Sequence, residues 1–94
     1  MNKLELARKE ISAIDAEMAA LFERRMHACR LVAEYKKENG LPVRDPAREA
    51  RMLDAYRDFL TDEALTEYYL QFVKNTIDVS CRYQEALLSR EDTQ

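Results

Sequence analysis

Hydrophobic residues from Leu4 onward recur at alternating steps of three and four: Leu4, Ala7, Ile11, Ile14, Met18 and Leu21, then Ala28, Val32 and Tyr35, with Arg25 in the gap. Such spacing lays one apolar stripe along an α-helix. No Gly or Pro interrupts it, so a single helix is predicted over 4–39, about 54 Å long at ~1.5 Å per residue. A compact monomer of this size has a radius of gyration of only about 12 Å. The helix cannot be covered by its own chain, and its seam suits a second helix.

Gly40 supplies the left-handed cap that ends this helix. A short link then reaches Asp45-Pro46, where Asp45 can accept from free amides as N-cap and Pro46 at the first helical position gives up no needed N–H. A second helix is predicted over 46–60, with Leu53, Tyr56 and Leu60 on its inner face. Thr61-Asp62-Glu63 caps a third, predicted over 62–88, and 90–94 are expected to fray. The apolar stripe of the third helix is read as Leu65, Tyr69, Phe72, Ile77 and Leu87/Leu88. The expectation is an all-α fold in one domain spanning 1–94.

Composition narrows the class. Hydrophobic residues make up 47% and charged residues 35% of the chain, with one Gly and two Pro, which describes a helix-rich globule. At 94 residues it gains much from burying surface in an oligomer. A net charge of -3 and no basic block argue against nucleic acid, which needs a clustered positive footprint. Cys29 and Cys81 lack metal-ligand spacing and read as free thiols of a reducing compartment. The start, Met1 to Glu5, lacks an apolar signal core, and no run approaches the ~18 apolar residues of a membrane span. A cytoplasmic address is expected, with no membrane contact.

Polar residues break the apolar faces at particular places. Arg25 sits on the seam of the first helix, and Lys36, eleven residues on, returns to nearly the same face. A buried guanidinium needs an anionic partner. That partner is either a ligand or a carboxylate elsewhere in the bundle, with the Lys36 stem snorkelling. On the third helix Ser80 and Gln84, four apart, interrupt the core face; neighbouring backbone or a ligand must satisfy them. Arg48 and Glu49 stand in the first turn of the second helix, where unsatisfied amides and a positive dipole can receive an oxygen-rich group. Read singly, Glu49 is a favourable surface acid and the Asp45 side chain a cap. Together these residues suit a small polyanion bearing a hydroxyl. No Ser-His-Asp or Cys-His arrangement, phosphate loop or metal cluster is evident, and His27 reads as a surface or edge residue. Any catalysis is then positional and electrostatic, with no metal or cofactor.

From Arg8 to Leu88 the chain resembles the all-helical (class II) chorismate mutases. The resemblance rests on Arg8-Lys9-Glu10-Ile11-Ser12-Ala13-Ile14-Asp15, Arg25 with Lys36, Pro42-Val43-Arg44-Asp45-Pro46-Ala47-Arg48-Glu49, and Ser80-x-x-x-Gln84. It implies an intertwined homodimer of three-helix chains and conversion of chorismate to prephenate in phenylalanine and tyrosine biosynthesis, without a covalent intermediate. By the same resemblance Arg25 and the Arg8 borrowed from a partner clamp the two carboxylates, with Ser80 and Arg48 assisting. Lys36 and Gln84 donate to the ether oxygen, and Glu49, with backbone near Asp45, takes the ring hydroxyl. The borrowing is geometrically sensible, since Arg8 lies about 26 Å from Arg25 and about 42 Å from Lys36 along one helix. Without the resemblance, Arg8 reads as a solvated charge. The rivals are an isochorismate-pyruvate lyase of the same fold and a non-catalytic dimeric helical module.

Overall fold

The computed structural model describes residues 1–92. Its order is α1 (Lys3–Glu38), α2 (Pro46–Tyr56), a 3-10 turn (Arg57–Phe59), a second 3-10 turn (Glu63–Leu65) and α3 (Thr66–Asp92), with no strand among the described residues. The expected long first helix is present, 36 residues from an Asn2 cap whose side chain accepts from the Glu5 amide at 2.9 Å. It closes through Gly40, whose φ of +62° lies in the left-handed region. Asp45 caps α2 as expected, accepting from the Arg48 amide at 3.1 Å.

The boundaries of the second and third helices differ from the expectation of 46–60 and 62–88. The α-helical part of the second ends at Tyr56, and residues 57–59 tighten into a 3-10 turn. A 3-10 turn brings positions three apart into line, and the Tyr56 and Phe59 rings stack there with centroids 4.8 Å apart. Asp62 caps the second 3-10 turn, accepting from the Ala64 amide at 3.0 Å, before α3 begins at Thr66. At the other end α3 continues to Asp92, beyond the expected stop at 88. Of the segment expected to fray, Thr93 and Gln94 lie outside the described residues.

The small core forms where the C-terminal half of α1 meets α3. Cys29 and Ala33 of α1 and Leu70, Val73 and Ile77 of α3 are buried, along with Val43 of the link. Only the first half of the α3 stripe is one position away from the expected one: Leu70 and Val73 are buried in place of Tyr69 and Phe72, with Leu65 and Phe72 half exposed, while Ile77, Ser80 and Gln84 face inward as expected. The small side chains of Cys29 and Ala33 let α3 approach α1. The longer seam residues Leu4, Ile11, Ile14, Met18, Leu21, Val32 and Tyr35 all remain exposed within this chain.

The uncovered seam shows in the dimensions. The chain measures 55 × 29 × 14 Å with a radius of gyration of 16.9 Å. Its surface of 7673 Å² exceeds the roughly 5600 Å² of a compact monomer of this mass by about 2000 Å². A groove of about 720 Å³ runs beside Met18, Leu21, Phe22, Phe72 and Val79.

Candidate active site

One cavity of about 140 Å³ lies between the three helices and is lined by Arg25, Lys36, Asp45, Arg48, Glu49, Ser80 and Gln84. These are the sequence-derived candidates with one exception. Arg8 is exposed in the first turns of α1, far from the cavity of its own chain.

Each helix brings its groups for a local reason. On α1, residues 25, 29 and 36 fall at steps of four and seven, so Arg25, Cys29 and Lys36 share the face turned to α3. Arg25 donates to Ser80 Oγ across the helix interface and lies 3.8 Å from Cys29 Sγ. Ser80 in turn donates to the Thr76 carbonyl at 2.8 Å, so its hydroxyl accepts from α1 and donates along α3. The buried hydroxyl is thereby satisfied and the guanidinium held.

Lys36 Nζ donates to the Val43 carbonyl at 2.5 Å, joining α1 to the link before α2. At the start of α2 the Asp45 carboxylate is engaged with the Arg48 amide, and the Asp45 carbonyl accepts from the Glu49 amide at 3.0 Å. The cap fixes the first turn, and with it Arg48 and Glu49 at the cavity edge. Glu49 is half-buried and Arg48 exposed.

Gln84 differs from Ser80. It is 6% exposed, and its Oε1 has no hydrogen-bond partner among the described residues. A buried amide left unpaired is costly, and rotation about its last torsion offers the cavity either an acceptor or an NH₂ donor. The site thus holds three cations, Arg25, Lys36 and Arg48, against two carboxylates, Asp45 and Glu49. The surplus is positive, and a neutral amide waits for a partner.

Sequence reasoning left out part of the lining: Val32, Val43, Met52, Ile77 and the two cysteines. Cys29 lies one turn after Arg25, Met52 one turn after Arg48, and Cys81 beside Ser80, so helical spacing was the available signal. Both cysteines are free thiols. Burial pushes the Cys81 thiol above its ordinary pKa, against the opposing pull of Arg44 and Lys36. Among the described residues no group of three or more His, Cys, Asp or Glu could hold a metal. No described helix is long and apolar enough to cross a membrane.

A cavity lined by cations and neutral donors between helices has the chemistry suited to a small organic anion. The sequence matches the family described as chorismate mutase type II over residues 7–85, and the chain belongs to that family of isomerases. It is similar to the 4-amino-4-deoxychorismate mutase of Streptomyces venezuelae, 29% identical over 91 residues covering 96% of this chain and 88% of the relative. The chorismate mutase of Methanocaldococcus jannaschii is 33% identical over 67 residues, covering 71% of this chain and 68% of the relative. A bifunctional chorismate mutase/prephenate dehydratase of Aquifex aeolicus is 26% identical over 101 residues, and the match spans only 28% of that longer protein. No solved structure matches the chain.

Proposed function

We propose that this chain is a single chorismate mutase domain spanning 1–94, working as an intertwined homodimer that rearranges chorismate to prephenate. The observation that carries the reading is the meeting of Arg25, Lys36, Arg48, Glu49, Ser80 and Gln84 in one cavity of a chain from this family. The reaction breaks a C–O ether bond while forming a C–C bond within one molecule. It requires the substrate to be held folded and the negative charge growing on the ether oxygen to be stabilised.

In this reading Arg25, oriented by Ser80, takes one carboxylate, and Arg48 assists. Lys36 leaves the Val43 carbonyl to donate to the ether oxygen, and the Gln84 amide donates beside it. Both donors gain most when charge develops, so they favour the transition state over the bound substrate. Glu49 accepts from the ring hydroxyl near the Asp45 backbone.

The second carboxylate needs another cation, and charge counting supports its source. Three cations against two carboxylates leave one net positive charge for a dianion, and Arg8 from a second copy would raise it to two. The exposed apolar seam and the surface excess of about 2000 Å² suit an obligate interface. An antiparallel copy of α1 crossing near Met18 to Leu21 carries the partner's Arg8 toward the stretch between Arg25 and Lys36. Two free cysteines suit a reducing cytoplasmic setting for aromatic amino-acid synthesis.

The Streptomyces relative supplies a second reading, in which the ring bears an amine where chorismate has its hydroxyl. Glu49 could accept from either group. The test incubates purified protein with chorismate and, in parallel, with 4-amino-4-deoxychorismate and with isochorismate, following loss of absorbance and identifying products by mass. Turnover of chorismate to prephenate is expected. Turnover of the amine alone reassigns the substrate, pyruvate released from isochorismate makes the chain a lyase, and a folded dimer inert to all three is a non-catalytic helical module.

A further inference from the structure

The three consecutive residues of the link, Val43, Arg44 and Asp45, each bind a different helix. The Val43 carbonyl accepts from Lys36 of α1, and Asp45 caps α2. Arg44 reaches α3, with Nε 3.0 Å from Glu85 Oε1 and Nη1 3.2 Å from Asp78 Oδ1. Asp78 and Glu85 are seven residues apart, two turns along one side of α3, and they bracket Ser80, Cys81 and Gln84 of the cavity wall. Asp78 also receives Arg82 Nε at 3.1 Å.

We propose that Arg44 is a positioning residue for the reaction: by forking across Asp78 and Glu85 it sets the link against α3, and so fixes Lys36 and the first turn of α2 around the substrate. This rests on the functional reading above. All three side chains are about half exposed, at 50%, 51% and 50% for Arg44, Asp78 and Glu85. Ion pairs this open to water add little to global stability. Their geometry is another matter, because a planar guanidinium held by two carboxylates is constrained in direction as well as distance. Besides the Val43 and Asp45 bonds, the link is tied to α1 near its start, where the Leu41 amide donates to the Lys36 carbonyl at 2.8 Å; Val43 is buried, but Leu41, Pro42 and Arg44 are exposed. Small displacements of positioned donors are expensive for a reaction that relies on alignment alone.

The test compares Arg44→Gln, the Asp78→Asn/Glu85→Gln double variant and their combination with the parent. Each is expected to keep its melting temperature within a few degrees, as exposed pairs do. Arg44→Gln and the double variant should each lower kcat/KM for chorismate about tenfold, with the loss chiefly in kcat. Combining them should cause no further loss, since one coupled unit has already been broken. Arg44→Lys, which cannot fork, should recover only part. Without substrate, amide exchange at Arg48 and Glu49 should quicken at least about fivefold in Arg44→Gln while that of Ile77 stays unchanged.

Activity within twofold of the parent, or losses that multiply in the combination, overturns the proposal. Unchanged exchange at Arg48 and Glu49 overturns it independently of any substrate. A parent inert to chorismate refutes the functional reading instead, and the exchange experiment still decides whether Arg44 holds the link.

Discussion

Subunit mixing tests the shared site more sharply than any single variant. Arg8 and Lys36 are 28 positions apart on one continuous α1, about 42 Å at ~1.5 Å per residue, so one chain cannot bring both to one small cavity. Lys36→Met keeps the stem and removes the donor. Losing a preorganised donor aimed at developing charge costs about 3 to 4 kcal/mol, a hundred- to thousandfold in rate. The ground-state bond from the charged Lys36 to the carbonyl of buried Val43 contributes about 1.5 to 3 kcal/mol, a minor part of the roughly 5 to 15 kcal/mol of a typical domain. Lys36→Met therefore folds and fails in chemistry. Arg8→Ala, exposed within its own chain, folds as well and loses the partner's carboxylate clamp.

Unfolded together in equal amounts and refolded, the two inactive variants give about half heterodimers. In each heterodimer one site pairs the Lys36 of the Arg8→Ala chain with the Arg8 of the Lys36→Met chain and is intact; the other site has both defects. About a quarter of parental chorismate turnover should return, peaking at a one-to-one ratio, far above either homodimer. If Arg8 served its own chain, every site would keep one defect and nothing would return. A flat mixing curve from folded dimers would refute the shared-site reasoning.

Other expectations bear on single positions. Gly40→Ala should lower stability by about 1 kcal/mol, a fall in melting temperature of about 4 to 8 °C, because its φ of +62° strains a side chain even though a Cβ would meet nothing within 4 Å. Thermal unfolding followed by circular dichroism checks this; an unchanged midpoint would contradict it. Gln84→Glu should make the rate depend on acid, since only a protonated carboxyl can donate. Burial raises a carboxyl pKa above its ordinary ~4.3, so activity should grow as pH falls, and the parent kcat profile should lack that limb. Cys81, its thiol held neutral by burial, should alkylate more slowly at pH 8 than in the unfolded chain and speed up above its ordinary pKa of 9.0. Mass spectrometry of iodoacetamide-treated protein reads this, and equal folded and unfolded rates would be the contrary result.

Local rules account for much of the molecule. The long unbroken α1, the Gly40 stop and the Asp45-Pro46 start depend on backbone preferences that a residue carries wherever it sits. Arg25 with Lys36, and Ser80 with Gln84, were visible because helical period puts them on faces that should be apolar. Tertiary structure decided the rest. Both long helices carry two adjacent apolar stripes, and periodicity cannot say which is covered by its own chain. Small Cys29 and Ala33 admit α3 to one face of α1, leaving the larger seam residues exposed, and α3 answers with Leu70 and Val73 while Phe72 lines the open groove. The 3-10 turns after Tyr56 follow from ring stacking and the Asp62 cap, both settled by how the chain reverses there. The pairing of Arg44 had no signal in the helical period, because its partners lie 34 and 41 residues away and only folding brings them within reach.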